Sequence, residues 1–167
     1  NFSKTMGFPV YDNNRSTRLL NLINSHNTID YETFKKIKYD RTFPNPFNYN
    51  YLDLNVLFEI NPNEYPELKD LINSIQNWDR STDADSYGAG SYGIFYYTFG
   101  KKYYKNLPKD KKATKEMIIN CLLDTKEKMI SDFGSLNVKL GDFQKLVRGK
   151  IEMPIYGLPD VLTAMRG

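Results

Sequence analysis

Gly88-Ala89-Gly90-Ser91-Tyr92-Gly93 matches the dinucleotide-binding pattern G-x-G-x-x-G letter for letter. That pattern works when an apolar strand feeds a tight turn and the next helix N-terminus meets a pyrophosphate. Here the preceding residues, Asp79 to Tyr87, form an acidic turn. The small residues are therefore expected to let two helices approach closely, and no nucleotide is expected. Asp79, Ser81, Asp83 and Asp85 place oxygens at alternate positions, as a calcium loop does. The sixth position is Ala84 and the twelfth is Gly90, so both the sharp turn and the bidentate acid are missing. Capping of the following helix is the simpler expectation for these acids.

His26 is the only histidine, so a Ser-His-Asp triad would have to use it. No Gly-x-Ser-x-Gly elbow supplies a partner, and a position at the end of a helix suits a histidine that meets the last carbonyls. Cys121 is the single cysteine, which excludes an internal disulfide and a cysteine-rich metal site. It falls between Ile119 and Leu122 in a helical pattern and is expected to be a buried, inert thiol. A paired-carboxylate glycosidase stays open at this level, since acids are plentiful and nothing selects one pair.

The elements that must position these residues read as helices. Leu19, Leu20, Leu22 and Ile23 share a face of a helix starting near Asn13 or Asn14. Asp30 caps a second helix, with Ile29 stapling onto Phe34, that runs through Ile37 to Tyr39. A loop rich in Pro and Asn covers Thr42 to Asn50, and a short helix is expected over Leu52 to Phe58. Pro66 opens an amphipathic helix carrying Leu68, Leu71, Ile72, Ile75 and Trp78. Ser86 to Phe99 reads as an aromatic helix with three glycines. The longest helix spans Lys112 to Phe133, buries Met117, Ile118, Cys121, Leu122 and Met129, and ends at Gly134. From Asn137 onward the chain reads as loop with short pieces of structure, and no pair of strands has hairpin spacing. The class is mainly α, in one helical domain over 1–167 with loop-like extensions at 1–11 and 137–167.

The chain has 167 residues, 40% of them hydrophobic, enough for a packed core. Its 13 Tyr and 10 Phe against one Trp could serve a large contact surface, but an A/T-rich codon bias is the favoured explanation. A net charge of +3, with bases and acids interleaved, argues against nucleic-acid binding. The densest basic cluster, Lys109, Lys111, Lys112 and Lys115, includes Asp110 and Glu116 and reads as a solvated helix start. No apolar stretch approaches a membrane span. The chain opens on Asn1-Phe2-Ser3, so its natural start and any targeting signal are expected upstream.

Several stretches together resemble the penicillin acylase family of N-terminal-nucleophile hydrolases, which includes acyl-homoserine-lactone acylases. Asn13-Asn14-Arg15-Ser16-Thr17-Arg18-Leu19-Leu20, with the helix pair ending Ile37-Lys38-Tyr39-Asp40, is similar to the segment after that family's active-site asparagine. Leu71 to Trp78-Asp79 is similar to the family helix that closes on Trp-Asp before small residues. Leu140-Gly141-Asp142-Phe143-Gln144, followed by Pro154, Gly157 and Leu158, resembles its Trp-Gly-Asp stretch and the proline-glycine loop after it, with Leu140 in place of Trp.

The resemblance implies a helical later part of the large subunit of a larger α+β enzyme that cleaves the amide bond of an N-acyl substrate. Beta-lactam side chains and acyl-homoserine lactones are examples of such substrates. The family's nucleophile is a serine exposed by self-cleavage, whose own α-amine is the general base, while an asparagine and backbone N–H groups hold the oxyanion. Asn1 has no hydroxyl and Ser3 no free amine, so nucleophile and oxyanion asparagine are expected upstream. Arg15 matches the family arginine that supports them, a role suited to a planar guanidinium fork. Read as a sequence alone, Arg15 is an arginine in a helix first turn, where the dipole disfavours it. The resemblance further implies the rest of the large subunit and a small subunit as partners, and export to a bacterial periplasm or beyond. It implies no cofactor; calcium occurs in some relatives, with no ligand assignable here. The alternative is a non-catalytic helical interaction domain.

Overall fold

The computed structural model describes residues 12–48 and 52–161. At the centre is α5 (Tyr87–Lys102), which buries an unbroken run from Ala89 to Phe95 and then Thr98 and Phe99. A helix buried on nearly every side needs apolar or small residues around its whole circumference, and the sequence Tyr-Gly-Ala-Gly-Ser-Tyr-Gly-Ile-Phe supplies them. Ser86 is its N-cap, accepting from the Ala89 N–H.

Against α5 lie α4 (Lys69–Gln76) and α6 (Lys115–Phe133), and then α7 (Leu140–Phe143). α4 contributes Leu71, Ile72 and Ile75, all at most 1% exposed. It is preceded by a 3-10 turn, Pro66–Leu68, because proline at the first position fixes the first turn without costing a hydrogen bond. α6 buries Ile118, Cys121, Leu122, Thr125 and Met129. Met117 is only partly buried. Thr114 caps α6, so it starts three residues later than the expected Lys112, and Gly134 ends it at φ 68 as expected. Leu54 and Leu57, both fully buried, close one side of this core.

The segment expected to be a helix over Leu52 to Phe58 is one only at α3 (Val56–Glu59). Asp53 instead pairs with the 111–113 strand-like segment: its N–H donates to Lys111 O and its carbonyl accepts from Ala113 N. Long-range backbone pairing has displaced the first helical turn.

The stretch from 137 departs further from expectation. It holds α7 and a β-hairpin, β1 (Lys145–Arg148) with β2 (Ile151–Pro154), in register Arg148↔Ile151. The loop is Gly149-Lys150, with Gly149 at φ 61, the glycine-first arrangement of a tight II′ turn. Val138, Leu140, Leu158 and Val161 are each at most 2% exposed and belong to the main core. They are spaced without period because they fill gaps left by α5. The expected extension over 1–11 lies outside the described residues, as do 162–167.

α1 (Asn14–Asn24) and α2 (Tyr31–Lys38) pack on each other to one side. The apolar residues expected to seat them do so poorly: Leu20 is 49% exposed, and Ile29 and Phe34, the expected staple, are 40% and 55% exposed. Ile37 alone on α2 is buried. Asp30 caps α2 as expected, accepting from Thr33 N at 2.8 Å. The Thr33 N–H holds that carboxylate below its ordinary range.

Candidate functional site

Arg15 sits in the first turn of α1, and the local sequence explains why that turn is well ordered. Asn13 is the N-cap: its Oδ1 accepts from Ser16 N at 2.9 Å while Ser16 Oγ accepts from Asn13 N at 2.9 Å. This reciprocal pair satisfies two backbone donors at once. The next orphan donor, Asn14 N, is satisfied from the far end of the chain. Asp160 Oδ2 accepts from Asn14 N at 3.1 Å and from Asn14 Nδ2 at 2.9 Å. A carboxylate at a helix N-terminus is favoured by the dipole as well as by the bonds.

Asn14 is 7% exposed and uses both ends of its amide. Its Oδ1 accepts from Asn48 N at 2.6 Å, and Asn48 Nδ2 donates to Thr17 Oγ1 at 2.9 Å. One buried amide thus joins α1, the 42–48 loop and the 158–161 turn. Asp160 is held at φ 72, a left-handed conformation that Asp tolerates better than most residues and that its two bonds to Asn14 help retain.

Arg15 itself is exposed, and its Nε donates to Val161 O at 2.9 Å. Its two Nη groups have no partner among the described residues. Arg18, one turn on, is committed: Nε and Nη2 form a bidentate pair with Asp40 at 3.0 and 2.8 Å. Hydrogen bonding to Asp40, outweighing burial, raises the Arg18 pKa. The two arginines of one motif therefore do different work. Arg18 locks α1 to the end of α2, while Arg15 is anchored by one nitrogen and presents the rest of its fork.

The other candidates resolve as architecture. A Cβ on Gly90 would lie 2.0 Å from Val138 O, and one on Gly88 would lie 2.4 Å from Trp78 Cβ. These glycines do admit close neighbours to α5, but the neighbours are Trp78 beyond α4 and Val138 before α7 rather than the expected second helix. The acids from 79 to 85 do not cap α5; Ser86 does. Asp79 accepts from Ser81 N, Asp83 pairs with Arg41, and Asp85 pairs with Lys139. No group of three or more His, Cys, Asp and Glu among the described residues could hold a metal. His26 is exposed, with Nδ1 2.8 Å from Leu22 O and 3.0 Å from Ser25 Oγ, a helix-end contact as expected. Cys121 is fully buried, donates to Phe95 O at 3.6 Å, and has its pKa pushed up to about 12 by burial. A thiol held protonated is no nucleophile.

With that geometry in view, the family model described as penicillin amidase matches residues 1–150, an interval that takes in α1, the Arg15 turn and the whole α4–α7 core. The chain belongs to the penicillin amidase family. No curated protein and no solved structure matches it. Within this penicillin amidase domain the mainly α architecture is the expected one. The family places the chain among acylase-like hydrolases of amide bonds.

The sequence marks Arg15 but not Val161, whose carbonyl holds it, nor Asp160, which ties down the helix start. Asn14 stands out only as a helix start and as part of the Asn13–Leu20 motif. The one available signal was Pro159-Asp160 near a glycine, a turn composition that places a carboxylate without saying where it points.

Proposed function

We propose that the chain is the helical later part of the large subunit of a penicillin-acylase-like enzyme. That enzyme hydrolyses an N-acyl amide through an N-terminal serine lying outside this sequence. The match to penicillin amidase over residues 1–150 carries this reading. In it, the serine hydroxyl attacks the amide carbonyl, its α-amine takes the proton, and an asparagine with backbone N–H groups holds the oxyanion. Arg15 supports those groups. In favour of that role, its Nε is fixed to Val161 O while both Nη groups remain available, and a capped, tied helix start gives the side chain a rigid base.

Nothing among the described residues forms a self-contained hydrolytic site, so the chain alone is expected to hydrolyse no amide. The exposed Leu20, Ile23 and Phe34 of α1 and α2, and Ile151 and Met153 of the hairpin, are suited to pack on the rest of the large subunit or on the small subunit. They equally suit the second reading, a non-catalytic interaction domain. Export to a periplasm or beyond belongs to the acylase reading, and a single cysteine is compatible with it.

Mass spectrometry and N-terminal sequencing of the full-length protein separate the two readings. A self-cleaved product starting with serine upstream of Asn1 is expected. An uncleaved chain would overturn the acylase reading. In the processed enzyme, Arg15→Ala is expected to lower kcat about 100-fold or more, on the scale of losing one oxyanion-supporting group. Arg15→Lys is expected not to restore it, because a point charge lacks the fork. Amide turnover by the isolated chain that Arg15→Ala abolishes would equally count against the proposal.

A further inference from the structure

Two consecutive residues of the 158–161 turn hold two consecutive residues in the first turn of α1. Asp160 Oδ2 accepts from the backbone and side-chain nitrogens of Asn14, and Val161 O accepts from Arg15 Nε. The bond to Val161 sets where the guanidinium points. The bonds to Asp160 set where the helix turn that carries it stands.

The two sides of this clamp differ in how firmly they are fixed. The 158–161 turn is rooted in the main core by Leu158 and Val161, each at most 2% exposed. Just before it, the Gly157 N–H donates to Thr82 O at 2.9 Å, and Gly157 O accepts from Gln144 Nε2 at 2.8 Å. α1 has no comparable footing. Asn14 is its one buried residue, and Leu20 and Ile23 are 49% and 39% exposed. Packing therefore leaves the orientation of α1 weakly specified, and the directional bonds at its first turn supply it.

The partners are also allotted in a way that suits an arginine kept for use. Arg15 is held by a neutral carbonyl rather than by the carboxylate one residue away, so its charge is placed without being cancelled. We infer that Asp160 is a positioning residue for Arg15: its carboxylate fixes the first turn of α1 at the angle that presents the open guanidinium fork to the reacting groups. The inference rests on the acylase reading, since only there does Arg15 serve the reaction. Asp160 lies beyond residues 1–150, so the family match assigns it no role. Asn48 N also donates to Asn14 Oδ1, at 2.6 Å. Loss of the carboxylate therefore frees the angle of the turn without detaching α1.

The test removes the carboxylate and keeps the backbone. Asp160 sits at φ 72, a conformation that glycine adopts at no steric cost, so Asp160→Gly leaves the chain that carries Val161 O unstrained. In the full-length processed enzyme, Asp160→Gly is expected to lower kcat by about ten- to 100-fold with KM nearly unchanged, the scale of a misplaced catalytic group. Asp160→Asn, whose amide oxygen still accepts from Asn14, should recover most of that loss. The deciding measurement is the double variant. In the Arg15→Ala background, Asp160→Gly should change kcat by less than about twofold, because residues that act as one unit are not additive. With the wild type processed to an N-terminal serine and active, any of four results would overturn the inference. These are an unchanged kcat in Asp160→Gly, a loss confined to KM, no recovery by Asp160→Asn, or the same fold loss with and without Arg15. An unprocessed wild type would instead overturn the acylase reading, and this inference with it.

Discussion

α5 with its neighbours and α1 with α2 are both helical, yet they are held in opposite ways. Around α5 the contacts are apolar and close: Phe95 and Phe99 are fully buried, and Gly90 lets the Val138 carbonyl rest against the helix backbone. The α1–α2 pair leaves Leu20, Ile23, Phe34 and Tyr39 at least 39% exposed. Its ties are polar: Asn14 joins α1 to Asp160 and Asn48, and Arg18 joins α1 to Asp40 at the end of α2. The difference teaches that an amphipathic pattern identifies a helix without showing that its apolar face is covered. Packing stabilises by area removed from water, whereas a polar tie adds little net energy and much direction. The region holding Arg15 is the directional one, as a site that must present a guanidinium requires.

Mutations can break or sharpen this contrast. The largest effect is expected from Phe95→Ala, at about 3–5 kcal/mol of lost stability, against a change within about 0.5 kcal/mol for Phe34→Ala. Urea denaturation of the two variants measures the gap, and equal losses would erase the distinction. Next, Gly90→Ala should cost about 3 kcal/mol, since backbone rather than a flexible side chain blocks the new methyl. Gly100, on the same helix with nothing within 4 Å of its site, gives the opposite sign. Gly100→Ala should stabilise by about 0.5–1 kcal/mol through helix propensity, which thermal unfolding of the pair would show.

Asp160→Ala should cost about 1–2 kcal/mol through the loss of two bonds to Asn14. Hydrogen exchange should then rise in the first turn of α1 but not in α5, and a uniform rise would mean the tie is not local. The smallest effect is a pH dependence. Burial acts to raise the Asp124 pKa, but hydrogen bonds from Tyr103 and Lys102 overcome it and leave it lowered. A carboxylate depressed in the folded state contributes stability above its ordinary pKa and loses it as pH falls through the lowered value. Asp124→Asn should flatten the acid limb of stability against pH, and an unchanged limb would place the acid sensitivity elsewhere.

Much of the molecule was legible in one dimension. Asp30, Pro66 and Gly134 mark helix ends by local chemistry, and Leu71, Ile72 and Ile75 mark a buried face by period alone. The Arg15 motif, the Trp78-Asp79 stretch and Leu140-Gly141-Asp142 suggested the family by their order and spacing together. The hairpin was missed because Arg148-Gly149-Lys150-Ile151 lacks the Asn-Gly or Asp-Gly turn that announces most hairpins, and because both strands are largely exposed.

By itself the sequence determined those helix ends that carry a cap, a proline or a left-handed glycine, as at Asp30, Pro66 and Gly134, since these act within one turn of their own position. It also marked Ser86 to Phe99 as an aromatic helix with three glycines, although its central place became visible only in the fold. Only the tertiary structure decided which apolar faces are covered and which carboxylate meets the start of α1. Asp160 and Asn14 are 146 residues apart, and no local propensity acts over that distance. What brings them together is the burial of Leu158 and Val161 in the same core, which delivers the carboxylate to the helix end as a consequence of packing.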